Sequence, residues 1–362
     1  MNRDWAVRLS ETVIQNREAL LRWHYETGCV LKALAQVGLQ TGTESYFTFI
    51  GEIGDALVDP EGRIKGYTIE EYNLDQINAG KILFLLLQRT GAVKYRRAID
   101  LLLTQLKGQP RNSLGGYWHK KIYPYQMWLD GVYMAAPFLA EYARTFNEPR
   151  FFDDAAQQIL LIEKHTRDPV IGLLYHAWDE SGEQRWADPE TGCSPHFWGR
   201  AMGWFAMALI DVLDYLPLDH GRRGEIVGIL HRMMKALTSF QDRDSGLWYQ
   251  VLDQGGRAGN YPEASASAMF VYALLKGVRL HYLEERFAEP GRRGYEGIVT
   301  HLVKTAEKGS PELTNICGVA GLGGDPYRDG SYEYYVQEPK RVNDPKGVAP
   351  LIMASLEYET GV

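Results

Sequence analysis

Apolar positions recur along this chain at i, i+3, i+4 and i+7, and almost nowhere in strict alternation. The pattern predicts helices over Asp4 to Ile14, Ala19 to Val37, Thr43 to Leu57, Leu74 to Gln88, Val93 to Leu106 and Tyr125 to Phe146. It continues over Pro149 to Lys164, Gly199 to Leu216, Gly224 to Gln241, Glu263 to Leu283, Tyr295 to Thr305 and Pro345 to Leu356. With β-branched alternation nearly missing, the expected class is all-α. The segment from Gly199, GRAMGWFAMALIDVLDYLP, is apolar on almost every side, so it is buried on almost every side. Its Gly199, Ala201, Gly203, Ala206 and Ala208 let neighbouring backbones come close. The inner helices of a ring need both properties, and a buried helix of any large bundle shares them.

A second regularity lies in the loops. Gly116-Tyr117-Trp118-His119, Gly172-Leu173-Leu174-Tyr175-His176 and Gly246-Leu247-Trp248-Tyr249-Gln250 each precede a new helix. A short aromatic segment after a glycine, ending in a hydrogen-bonding side chain, thus recurs as it does in helix-hairpin repeats. A dozen helices taken as six hairpins suggest a closed α/α toroid with its loops gathered at one mouth. No Ser/Gly or charged low-complexity linker divides the chain, so residues 1–362 are expected to form a single catalytic domain.

Composition narrows the partners. The hydrophobic share of 45% suffices for a large core. Lys and Arg number 39 against 46 Asp and Glu, and the resulting charge of -7 argues against a general nucleic-acid or anionic-membrane binder. Nine Trp, 22 Tyr and 12 Phe are an unusual share of rings, which can fill a core and can also line sugar and cofactor clefts. Charges at Arg3, Asp4, Arg8, Glu11, Arg17 and Glu18 leave no signal-peptide core before Val30. Apolar runs such as Ile82 to Leu87 fall far short of the ~20 residues that span a bilayer. Cys29, Cys193 and Cys317 are scattered, with neither disulfide nor zinc spacing, and a cytosolic location is expected.

The sharpest chemical segment is Tyr123-Pro-Tyr-Gln-Met-Trp-Leu-Asp-Gly-Val-Tyr-Met134. With Pro124 in a first helical turn, Asp130 is expected inside the helix, flanked by Gln126, Met127, Tyr133 and Met134. A carboxyl desolvated among such side chains gains the intermediate pKa of a general acid. A structural Asp that pairs with Arg remains equally open at this point. Asp75, in Tyr72-Asn-Leu-Asp-Gln-Ile-Asn78, reads first as a helix cap, and otherwise as a second carboxylate paired with Asp130 across a pocket.

A third segment, Gly172 to Glu180 and His196 to Trp204, offers His176, Trp178, Trp198, Arg200 and Trp204. Arg supplies a bidentate site for a carboxylate and Trp a flat face for a sugar ring. No P-loop, dinucleotide fingerprint, serine elbow or H-E-x-x-H motif is found, so no cofactor or metal is called for. Gly318 to Asp325 is glycine-rich without a strand before it, and Tyr327 to Tyr335 reads as another mouth loop.

Taken together, Trp23-His-Tyr-Glu26, Asn73-Leu-Asp75, Gln126-Met-Trp-Leu-Asp-Gly131, Tyr133-Met134, Tyr175-His-Ala-Trp-Asp-Glu-Ser181 and Trp198-Gly-Arg-Ala-Met-Gly-Trp204 form an ordered set. Asp329-Gly-Ser-Tyr-Glu-Tyr-Tyr335 and Asn343-Asp-Pro-Lys-Gly347 complete it. The set resembles the unsaturated rhamnogalacturonyl hydrolases, glycoside hydrolase family 105. Asn73-Leu-Asp75 departs slightly from the Asp-Asn pattern of that family. The resemblance implies an (α/α)6 barrel of six hairpins. It also implies a small anionic oligosaccharide as substrate, whose terminal galacturonyl residue carries the C4=C5 double bond left by a pectin lyase.

In such enzymes the double bond is hydrated and the anomeric carbon is not attacked. By resemblance Asp130 protonates C4 and then activates the water that adds to C5, and Asp75 is the second acidic residue. His176, Trp198 and Arg200 match substrate-contacting positions, Tyr25 matches an aromatic of the pocket, Trp204 a stacking platform, and Trp128 falls beside the site. On charge and position, His119 and Lys120 are expected to meet the uronate carboxylate. The competing functions are an unsaturated glucuronyl hydrolase with a different second sugar, an inverting glycosidase with two carboxylates, and a carbohydrate-binding ring without catalysis. A sugar epimerase would want paired His bases, for which no motif is found.

Overall fold

The computed structural model describes residues 5–305 and 309–361. Asp4, the first residue of the first predicted helix, lies outside the described residues. The helices are α1 Trp5–Gln15, α2 Tyr25–Thr41, α3 Glu44–Leu57, α4 Asp75–Asn78, α5 Lys81–Thr90, α6 Val93–Gly108 and α7 Leu129–Phe146. They continue as α8 Arg150–Thr166, α9 Gly199–Leu213, α10 Arg223–Ser239, α11 Ala264–Arg279, α12 Ala288–Gly297, α13 Tyr332–Gln337 and α14 Pro345–Glu359. Short strands β1 Gln126–Trp128 and β2 Ala177–Asp179 pair antiparallel, as do β3 Val303–Thr305 with β4 Pro311–Leu313, and β5 Ile316–Cys317 with β6 Lys340–Arg341.

The long helices form two concentric layers. Going round the inner layer, α2 packs on α4 and α5, these on α7, then α9, α11 and α14, and α14 closes on α2. Each inner helix pairs with an outer one: α3, α6, α8, α10, α12 and, joining the two ends of the chain, α1 against α14. This is the (α/α)6 barrel. Burial follows the hydrophobic pattern. Every residue of α9 is buried, as are Ala264–Val278 of α11, whereas outer helices such as α8 and α10 bury a stripe. Small residues allow the close inner approaches. A Cβ on Gly28 of α2 would stand 2.6 Å from the Cα of Ala79, so only glycine fits there.

The loops leading back to inner helices share a construction. The carbonyl oxygens of Asp168 and Asp242 accept the N–H of Gly172 and Gly246, at 3.0 and 2.9 Å, while their own N–H groups reach Leu173 and Leu247. Both glycines have positive φ, +78° and +72°. Such loops gather at the mouth formed by the N-terminal ends of the inner helices.

Several predicted boundaries move. The helix expected from Ala19 starts at Tyr25, where His24 caps it by accepting the Glu26 N–H at 3.4 Å, and Arg17–Leu20 is a separate 3-10 turn. The helix expected from Leu74 breaks at Ala79-Gly80. The segment Tyr295 to Thr305 splits into the end of α12, a π-helical turn at Ile298–Leu302 and β3. Within the expected loop Tyr327 to Tyr335, α13 begins, with the Ser331 hydroxyl accepting the Tyr334 N–H at 3.2 Å.

The correction that matters most concerns α7, which begins at Leu129 and not at Tyr125. Tyr125 has φ +62°, and Gln126–Trp128 is extended because it pairs with β2, in register Gln126 to Asp179 and Trp128 to Ala177. Asp130 therefore sits in the first turn of α7 rather than in its interior. Gln126 and Met127 are not its helical neighbours.

Candidate active site

The strand pair sets the position of Asp130. Register with β2 lets the Leu129 N–H donate to the His176 carbonyl at 3.1 Å, which brings the next residue beside the imidazole. Asp130 Oδ2 and His176 Nε2 are 3.3 Å apart, and both atoms are buried with no other polar partner among the described residues. The other imidazole nitrogen, Nδ1, meets the Tyr335 hydroxyl at 2.8 Å. Tyr335 is wholly buried, and that burial pushes its phenol well above the ordinary value, so it keeps its proton. A Tyr335 O–H donating to Nδ1 leaves the ring hydrogen on Nε2, the nitrogen nearer Asp130. His176 is fully buried and stands behind the carboxylate, not on the cleft wall where direct substrate contact was expected.

Asp75 opens α4, and its side chain makes no cap, contrary to the first reading of its position. A bridge between Asn73 and Lys120 and a hydrogen bond from the Leu74 N–H to the His119 carbonyl at 3.1 Å bring the two segments together. Lys120 Nζ then lies 2.7 Å from Asp75 Oδ2, and His119 Nε2 3.6 Å from Oδ1. Burial would raise the Asp75 carboxyl, but Lys120 and His119 outweigh it and hold it below the usual range. Lys120 is held above its ordinary value by Asp75, against its own burial. Burial lowers His119 to about 4, so this imidazole is neutral near pH 7. It stacks on Trp128 at 4.6 Å, and Trp128 in turn on Tyr123 at 5.0 Å, a three-ring slab along one side.

Both carboxylates line one cleft of about 310 Å³ at the mouth of the barrel. Tyr25, His119, Lys120, Trp128, Trp198, Arg200 and Trp204 line it too. Trp204 stacks on Tyr133 at 5.0 Å and meets Tyr25 edge-on at 6.3 Å. Arg200 is 1% exposed, its guanidinium donating to Ser265 Oγ at 2.9 Å and to the carbonyls of Cys317 and Gly318. Burial opposes its charge, yet neighbours including Glu263 hold it above its ordinary value. Two aromatics of the segment Gly172 to Glu180 lie elsewhere. Trp178 stacks on His165 at 3.8 Å, and Tyr175 on Phe197 at 4.3 Å.

Sequence reasoning missed several lining residues, among them His24, Glu26, Tyr123, Arg328, Arg341 and Lys346. Lys346 pairs with Glu26 and lies 2.8 Å from Asp344, all three buried. Burial would raise Glu26, but His24 and Lys346 drive its carboxyl far below the usual range. The strings Trp23-His-Tyr-Glu26 and Asn343-Asp-Pro-Lys-Gly347 carried this signal. Lys120, Arg200, Arg328, Arg341 and Lys346 face the cleft against Glu26, Asp75 and Asp130, an excess of cations on a chain of charge -7. The arrangement suits a small anion with a carboxylate at hand. Among the described residues no group of three or more His, Cys, Asp and Glu is placed to hold a metal ion.

The sequence profile of Glycosyl Hydrolase Family 88 matches residues 1–361. The chain belongs to the glycosyl hydrolases of families 88 and 105. The family 105 side rests on a solved structure of a glycoside hydrolase from C. acetobutylicum, 46% identical, with TM-score 0.97, covering 99% of this chain and 100% of that one. Protein Atu3128 of Agrobacterium fabrum is 44% identical over 230 residues, 62% of this chain and 97% of its own length. The unsaturated rhamnogalacturonyl hydrolase YesR of Bacillus subtilis is 27% identical over 300 residues, 79% of this chain and 82% of its own. As a family member the protein is a hydrolase of the unsaturated-glycoside type. No described helix of this hydrolase is long and apolar enough to cross a membrane.

Proposed function

We propose that the enzyme removes the 4,5-unsaturated galacturonyl residue from pectin-lyase-derived rhamnogalacturonan oligosaccharides by hydrating the C4=C5 double bond. The observation that carries this reading is Asp130, a carboxylate on the wall of a cation-rich cleft with one oxygen turned on a buried imidazole. Protonated, Asp130 donates to C4, and positive charge develops at C5, shared with the ring oxygen. Water adds to C5 and returns its proton to Asp130, so a single carboxyl serves as acid and then as base. The hemiketal formed at C5 opens to a hemiacetal at C1, whose collapse frees the neighbouring sugar as an alcohol.

The remaining residues divide by charge and shape. Asp75, ionised against Lys120, orients a sugar hydroxyl or the lysine itself and does not supply the proton. Lys120 and Arg200 attract the uronate, and Trp198 and Trp204 offer faces for the rings. Similarity to YesR supports galacturonyl-rhamnose over a glucuronyl substrate. The test is a panel of unsaturated disaccharides followed by loss of the ultraviolet absorbance of the double bond. Turnover of unsaturated galacturonyl-rhamnose at least about tenfold faster in kcat/KM than of unsaturated chondroitin disaccharide is expected, and a reversed order would transfer the enzyme to the glucuronyl substrates.

A further inference from the structure

The cleft does not end at Tyr123 and Arg328. Both residues also line a second, more open groove of about 690 Å³, walled by Ile122, Gln126, Gln184 and the turn from Gly323 to Pro326. Arg328 braces the passage between the two, donating to the Tyr123 hydroxyl at 2.9 Å and to the Gly323 carbonyl at 2.8 Å. Tyr123 is the outermost ring of the slab that begins at His119 and Trp128, so one continuous aromatic wall runs from the catalytic cleft into the groove.

Hydrogen-bonding groups in the groove lack protein partners. Gln126 is 2% exposed, and its Oε1 accepts the Trp128 indole N–H at 3.1 Å. Its Nε2 donates to no group among the described residues. The side-chain amide of Gln184 has no partner there either. Behind the groove wall, the buried indole Nε1 of Trp186 has no hydrogen-bond partner among the described residues and lies 3.9 Å from where a Cβ on Gly323 would stand. Gly323 and Gly324 both have positive φ, +65° and +85°, and leave bare backbone on that side. Amide groups without protein partners on the wall of a groove are free to pair with water or with the hydroxyls of a ligand.

We propose that this groove is a subsite for the third sugar of the oligosaccharide, the one beyond the leaving sugar, held through its hydroxyls by the amides of Gln126 and Gln184. The inference rests on the function proposed above. Asp325 and Arg328 balance each other in the groove, whereas cations prevail in the catalytic cleft, so recognition here runs through hydroxyls more than through charge.

The test compares an unsaturated disaccharide with an unsaturated tetrasaccharide, both from lyase digestion of rhamnogalacturonan, in the wild type, Gln184→Ala and Gln184→Trp. The wild type is expected to prefer the tetrasaccharide several-fold in kcat/KM. Gln184→Ala should lower tetrasaccharide kcat/KM by about three- to tenfold through KM, the worth of one hydrogen bond. Gln184→Trp, which fills the groove, should lower it further, and both variants should turn over the disaccharide within about twofold of wild type. Equal effects on the two substrates, or none, would overturn the subsite while leaving the proposed function in place. Failure of the wild type to turn over either substrate would instead overturn the proposed function and the subsite with it.

Discussion

Asp130 Oδ2 faces His176 Nε2 at 3.3 Å, and neither atom has another polar partner among the described residues. The pairing depends on three extended residues, Gln126 to Trp128, that fasten the entry of α7 to the strand following His176. It leaves one carboxylate edge for the substrate and commits the other to the imidazole.

Asp130→Asn removes the proposed proton donor but keeps the shape of the cleft. Turnover, followed by the ultraviolet absorbance of the double bond, should fall by at least about a thousandfold, within the range of general acid–base catalysis. Substrate affinity by calorimetry should stay within a few-fold of wild type. A variant that keeps most of its activity would remove Asp130 from the mechanism.

Tyr335→Phe deletes the hydroxyl that meets His176 Nδ1 at 2.8 Å and touches nothing in the cleft. The imidazole then loses its fixed tautomer. We expect kcat to fall about tenfold, its pH profile to shift and KM to hold. An unchanged pH profile would mean that Tyr335 only fills space.

His119 gives a stability prediction with a defined sign. Its folded pKa is lowered to about 4 by burial, against about 6.5 in the unfolded chain. The unfolded state therefore binds the extra proton between these values. The folded state is favoured in full above about pH 6.5 and loses that advantage as pH falls toward 4, by roughly 3 kcal/mol at most. His165 and His196 are also lowered by burial, so the comparison is made against His119→Phe, which keeps the ring on Trp128. Urea unfolding at pH 7 and pH 5 should show a smaller loss for the variant, and equal losses would discard the assignment.

Gly28→Ala tests the ring itself. The added Cβ would lie 2.6 Å from the Ala79 Cα and 2.9 Å from the Asn78 carbonyl oxygen, backbone atoms that cannot swing aside. Overpacking of this kind costs about 1–3 kcal/mol, read as a lower midpoint of urea unfolding. A variant as stable as wild type would mean that α2 and α4 are less closely fitted than described.

The ring was legible because α9 is apolar on almost every side, and a helix of that kind has nowhere to go but inward. Asp75 and Asp130 share a cleft because each opens an inner helix, α4 and α7, at the same mouth. Their partners were less legible. No local period announces that Gln126–Trp128 leaves the helical pattern for a strand of three residues, since its partner lies at Ala177–Asp179. Glu26 and Lys346 meet across 320 residues of sequence, a pairing that only closure of the barrel creates. Trp178 sits only two residues after His176 yet packs on His165, a ring from α8 that no local spacing announces.

Hydration of the double bond is tested most directly by turnover in deuterium oxide. If Asp130 delivers its proton to C4, the released keto sugar carries one deuterium at C4, visible by nuclear magnetic resonance. Cleavage of a saturated substrate with C4 unlabelled would contradict the account and make the enzyme an ordinary glycosidase.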